Sequence, residues 1–186
     1  MPTVSAGEAH AQRAVLVAEL RRLEGELQHT QGRLLALRGV ALPGIHLVVE
    51  AAGRRGLLPA GRVLEVVRLV ATTPLAGAPP HVLGTFLCRG APVIAVELAA
   101  LLGAGAEPGL DAQIVILAGT PSVGLVVDRV VRLVEAPRLY EGDAGTGTPE
   151  GWRGSSLVAG LCVDGEDVLP ILDPTSVLAE LAGRAA

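Results

Sequence analysis

The chain has 186 residues, half of them hydrophobic, a net charge of −4 and no lysine: every one of its basic residues is an arginine. That length suits one domain with an appendage or two very small domains. The acidic balance and an aromatic content of 2% argue against a basic nucleic-acid surface or a base-stacking platform.

The first segment, 1–42, reads as a helical arm. Ser5 and Glu8 have the spacing of a capping box, in which each side chain satisfies an amide of the other residue. Leu16, Leu20, Leu23, Leu27, Leu34 and Leu37 then alternate steps of four and three, with Thr30 as the one interruption. This is a heptad seam, and Gly39 with Pro43 beyond it closes the helix. A helix over 6–38 would be roughly 50 Å long, enough to overhang a domain of the expected size. The seam could pack on its own domain, on a second copy, or on a partner helix. In a parallel pair Glu19 would meet Glu24 and Arg33 would meet Arg38. An antiparallel pair sets Glu19 against Arg33 twice, at the cost of a Glu26–Glu26 contact; each pair is worth only about 0.3–0.5 kcal/mol. His10 and His29 lie on this arm without a second metal-type ligand at useful spacing.

From Gly44 the period changes to that of strands. Residues 46–51 read as a strand, 52–56 form a turn, and Pro59 keeps Leu58 extended. Residues 62–68 are read as a strand because of their β-branched content. The stretch 73–80, with three prolines, is a stiff connection. Next comes a strand from Gly84, an Arg89-Gly90 turn, and a second strand ending at Glu97. Arg89 and Glu97 are the only charges in this hairpin. Charges set between apolar strands need a partner, either each other or another molecule. A short apolar helix at 98–102 follows.

The third segment contains a hairpin, 112–118 with 123–128, and another strand at 129–134. A Gly- and Thr-rich loop at 141–154 carries Trp152 near its end. Two last strands flank Asp164-Gly165, a strong hairpin signal. Asp173 is the expected N-cap of a helix over 174–183, with Pro174 in its first turn.

The motifs of common catalysis are missing. There is no GxGxxG, phosphate loop, HExxH or CxxC, and the four histidines are scattered. Cys88 and Cys162 sit in apolar runs and read as buried free thiols. No cofactor and no metal is expected. The longest charge-free run is broken by prolines, so membrane insertion is not expected, and the polar N-terminus lacks the apolar core of a signal peptide. A cytoplasmic, non-catalytic protein follows. Many short strands with few helices indicate small antiparallel barrels.

Five motifs in order resemble the CheW-like domain, the adaptor module of bacterial chemosensory arrays. Leu58-Pro59 with Glu65-Val66 is similar to the family's "LP…EV". Residues 73–79 resemble its "TPLPGAP". Gly84, Arg89-Gly90 and Glu97-Leu98 resemble its "GxxxxRGxxxPxxDL". Residues 123–130 resemble its "GLxVDxV", and 157–160 with 169–173 resemble its closing strands. Ile94, Glu97 and Ala76 depart from the pattern, marking a divergent member.

The resemblance implies a mainly β fold of two intertwined five-stranded SH3-like barrels, here preceded by a long N-terminal α-helix. The CheW-like domain would cover 43–186, with a first barrel at roughly 45–105 and a second at roughly 110–172. It implies a scaffold of a two-component chemotaxis system, not an enzyme. Such a scaffold couples the cytoplasmic tip of a methyl-accepting chemoreceptor to the regulatory domain of a CheA-type histidine kinase, at membrane-associated receptor arrays. Gly84, Arg89 and Gly90 match the motif associated with those contacts. Val63, Val66 and Val82 are expected neighbours, and Glu97, Gly124 and Asp128 match further motif positions. The absence of a following receiver domain and of ATP-binding motifs sets the chain apart from CheV and from the kinase. The alternative is a structural oligomerising protein whose arm self-associates through residues 6–38 and whose barrels have lost one of the two partners.

Overall fold

The computed structural model describes residues 15–17, 19–20, 22–23, 26–27, 40–104, 107–142 and 147–177. Eleven strands are described: β1 (Ile45–Ala51), β2 (Arg54–Pro59), β3 (Val63–Arg68), β4 (Val82–Cys88), β5 (Ala91–Glu97), β6 (Gln113–Leu117), β7 (Ser122–Val127), β8 (Arg129–Glu135), β9 (Arg138–Leu139), β10 (Val158–Asp164) and β11 (Asp167–Leu172). A 3-10 turn at Ala60–Arg62 precedes β3, and helix α1 (Leu98–Leu101) follows β5.

The strands form two mixed sheets. One has the order β8-β1-β2-β11-β10-β9, the other β3-β6-β7-β5-β4. The first draws β1 and β2 from the start of the domain and the rest from its end. The second takes everything between. The expected division into barrels at 45–105 and 110–172 is therefore not the one that the hydrogen bonds make. The expected five strands per sheet become six and five. The reason is local: the chain of β8 and β9 is interrupted at Ala136, which has a φ of 47°, so that one run counts as two strands. Parallel pairs, β2 with β11 and β5 with β7, occur beside antiparallel ones.

Both faces of several strands are buried, so they read as continuous apolar runs rather than alternating ones. Leu47, Val49, Leu58, Val115, Leu117, Val123 and Leu125 face a core shared by the two sheets. Their neighbours face inward within one sheet. Phe86, Val93, Ile114, Ile116 and Val126 fill the five-stranded sheet. Val48, Leu57, Val134, Cys162 and Leu169 fill the six-stranded one. Burial pushes the Cys162 thiol up to about 12, which suits an inert core residue.

The helix expected over 6–38 falls mostly outside the described residues. Helical residues are described at 15–17, 19–20, 22–23 and 26–27, where Arg22 pairs with Glu19 at 2.7 Å and Glu26 at 2.5 Å. Leu16, Leu20, Leu23 and Leu27 are all exposed there, between 49% and 69%. The described leucines thus do not dock on the domain. Leu34 and Leu37 lie outside the described residues, as does the remainder of the 174–183 helix beyond 177. The domain proper begins before Pro43: Ala41 bridges Arg138, the Leu42 amide donates to the Pro137 carbonyl, and the Leu139 amide donates to the Val40 carbonyl.

Candidate protein-interaction site

β4 and β5 pair in register up to Cys88 opposite Ala91, leaving Arg89 and Gly90 as a two-residue turn. Both have positive φ, 49° and 81°. That is the backbone that a tight right-twisted hairpin requires, and it explains Gly90 directly. Arg89 is the less common occupant of such a position. Its side chain is 81% exposed and folds over β3, where Nε donates to Glu65 Oε2 at 2.8 Å and Nη2 donates to Oε1 at 3.2 Å. The Arg89 guanidinium holds the Glu65 carboxyl below its usual range. The expected alternative, an internal Arg89–Glu97 pair, does not form, because the two residues stand at opposite ends of β5.

The fork tethers the β4–β5 turn to β3 across 24 residues of sequence. Beneath it, Glu65, Cys88, Arg89 and Ile116 help to line an open cavity of about 310 Å³. Cys88 Sγ lies 3.8 Å from Glu65 Oε2. On β3 the side chains alternate. Leu64, Val66 and Arg68 point to solvent while Val63, Glu65 and Val67 are half-buried. Of the three expected apolar neighbours, then, Val66 is on the open face. Val63 and Val82 pack against the shared core instead. Leu64 (64% exposed) and Leu87 (74%) are outward-facing residues that sequence reasoning missed.

The glycines of the motifs mark close approaches. A Cβ on Gly84 would lie 2.3 Å from the Thr73 carbonyl oxygen, and one on Gly124 would lie 2.5 Å from Ile114 Cγ2. The Thr73–Thr85 bridge, with both backbone bonds made, brings the proline-rich connection onto β4 at that point. Asp128 Oδ2 accepts the Ala52 amide at 2.8 Å, joining the β7–β8 turn to the β1–β2 turn. Glu97, 8% exposed, is buried at the end of β5. Burial raises its carboxyl above the ordinary range, and the negative charges of Asp128 and Glu107 push the same way. The structure therefore brings Arg89 onto Glu65 at an open cavity that Leu64 also lines, with Gly90 beside Arg89 in the turn, while Val66 is exposed on β3 and is not among the cavity's lining residues. Gly84, Gly124, Glu97, Val63 and Val82 go to the interior, and Asp128 to a separate turn. Glu65 sits inside the "LP…EV" motif, but no local spacing rule links it to Arg89.

Among the described residues no group of three or more His, Cys, Asp or Glu side chains could hold a metal ion. No described helix is long and apolar enough to cross a membrane. The arrangement offers recognition chemistry: an exposed guanidinium bordering an open cavity that the exposed Leu64 also lines.

Comparison with known proteins agrees with the geometry. The chain matches no curated protein sequence. Its fold is similar to that of the scaffolding protein TtCheW from Thermoanaerobacter tengcongensis, with a TM-score of 0.58 and 21% identity over 72% of this chain and 86% of that one. The CheW-like domain profile matches residues 45–182. With the strand order and the Arg-Gly turn already described, that match shows that this chain belongs to the CheW-like domain family.

Proposed function

We propose that the protein is a non-catalytic adaptor of a bacterial chemosensory complex, coupling a methyl-accepting chemoreceptor tip to the regulatory domain of a CheA-type histidine kinase. One observation carries the reading. Arg89, held by Glu65 yet 81% exposed, borders an open cavity that the exposed Leu64 also lines. A preorganised Arg beside aliphatic residues is the composition of an interface anchor. Each sheet is read as a closed SH3-like barrel, with the Thr73–Thr85 bridge closing one and the bent β8–β9 run, pairing with β1 on one side and β10 on the other, closing the other. Residence in the cytoplasm at receptor arrays follows from the partners.

The test is a pull-down of the full chain, Arg89→Ala and a form lacking residues 1–39, each against the kinase regulatory domain and a receptor tip. The cut is placed at 39 because residues 40–42 are stitched into the domain. The full chain is expected to capture both partners, and Arg89→Ala to weaken capture on the order of tenfold. If neither the full nor the shortened chain binds either partner, the adaptor reading fails.

The exposure of Leu16, Leu20, Leu23 and Leu27 supports a second reading, in which the arm self-associates and the barrels cap an assembly. On that reading the form lacking 1–39 sediments as a monomer and loses function, while Arg89→Ala has no effect.

A further inference from the structure

The segment 149–155 connects toward β10 and carries Trp152, the one tryptophan of the chain. Trp152 is 1% exposed and belongs to the core shared by the two sheets. Its ring lies against β2: a Cβ on Gly56 would sit 3.1 Å from Trp152 Cη2. The backbone bonds of the segment itself are short-range, from the Trp152 amide to the Pro149 carbonyl and from the Ser155 amide to the Trp152 carbonyl. A long-range tie comes from Arg54, at the start of β2. Its Nη1 donates to the Gly151 carbonyl at 3.2 Å and to the Leu102 carbonyl at 3.0 Å, and both bonds are partly buried. Gly151 is suited to the approach. Its φ is 90°, and a Cβ there would lie 2.3 Å from Arg54 Nε.

We infer that Arg54 is a latch through which the end of α1 and the Trp152 segment open and close together. Leu102 follows α1, on the connection between β5 and β6 of the five-stranded sheet. Gly151 lies between β9 and β10 of the six-stranded one. One nitrogen serves both carbonyls. Removing it orphans two partly buried acceptors at once, and neither segment can keep the bond if the other pulls the guanidinium away. Once Gly151 is released, Trp152 has lost a hydrogen-bonded anchor one residue away. α1 begins directly after Glu97, so motion at the end of the motif hairpin is transmitted to the far sheet's tryptophan. This coupling holds whichever partners the protein binds.

The experiment compares the full chain with Arg54→Met, which keeps length and apolar contact but donates nothing, and with Arg54→Lys, which keeps the charge without the fork. Amide exchange is followed at 102–104 and at 152–155, and quenching of Trp152 fluorescence by acrylamide is followed alongside. In Arg54→Met, exchange at both segments is expected to rise together, on the order of tenfold. Trp152 becomes more quenchable, and β6 and β7 amides are unchanged. Arg54→Lys should fall between the two, and it supplies the same readout if the methionine variant does not fold. The latch is overturned if one segment loosens without the other, if neither moves, or if exchange rises uniformly through β6 and β7.

Discussion

Glu97 ends β5 at 8% exposure, faces the charges of Asp128 and Glu107, and has its pKa raised by that setting. A carboxyl whose pKa rises on folding holds its proton more tightly in the folded chain than in the unfolded one. Stability is therefore gained as pH falls through the folded-state value, and at neutral pH the ionised form carries a penalty. Glu97→Gln is expected to stabilise the fold at pH 7.5 by about 1 kcal/mol and to flatten its acid dependence. Urea unfolding at pH 5 and pH 7.5 measures both; a variant no more stable than the parent at pH 7.5 contradicts the assignment. Glu65 shows the opposite sign. Arg89 depresses its pKa, so its contribution is present above the ordinary glutamate range and is lost as pH falls through the lowered value. Neither environment was legible from residue type. The motif picks out Arg89 and Glu97 as the two charges of one hairpin. Which of them meets a counter-ion depends on the β4–β5 turn reaching β3, at the other edge of the five-stranded sheet, 24 residues away.

Elements were legible wherever a local rule governs them. The Arg89-Gly90 turn, the short helix after Glu97 and the Asp173 cap all follow from neighbouring residues. At the cap the structure shows Asp173 Oδ1 accepting the Thr175 amide at 2.9 Å. The last hairpin shifts by one place, since Asp164 pairs with Asp167 and leaves Gly165-Glu166 as the loop. The leucine seam was legible as a pattern. A seam states only which residues share a face, and the four described leucines meet no surface of the domain. Gly84 illustrates what sequence cannot carry. Glycine there could mean a turn, a bulge or a close approach; the structure makes it a close approach to the Thr73 carbonyl, with φ at 135°. A backbone oxygen cannot move aside as a side-chain end can. Gly84→Ala is expected to cost about 2–4 kcal/mol. Gly90→Ala, with a φ of 81° and nothing within 4 Å, should cost about 1 kcal/mol from backbone strain alone. Urea midpoints at equal slope separate the two, and equal losses would remove the steric account.

At the scale of the molecule, the strand count and the mainly β class came from short apolar runs and turn signals, while the sheet membership did not. Runs buried on both faces look alike whichever sheet they join. Nothing in β1 or β2 announces that their neighbours are β8 and β11, some 80 to 120 residues later. The interleaving has a consequence for cutting the chain. A break between Gly109 and Leu110, where Leu110 is fully exposed, disturbs little packing locally. It nevertheless leaves β1 and β2 without β8 and β11, and β5 without β7. The shared core, with Leu47 and Leu58 on one side of the break and Leu125 and Leu172 on the other, is divided between the fragments. Each fragment is therefore expected to lack cooperative unfolding alone. Mixing them should restore the sheet signal in circular dichroism and the buried fluorescence of Trp152. A 110–186 fragment that folds by itself would show that β6–β11 need neither β1 and β2 nor β3–β5, and that the interleaved sheets are not one cooperative unit.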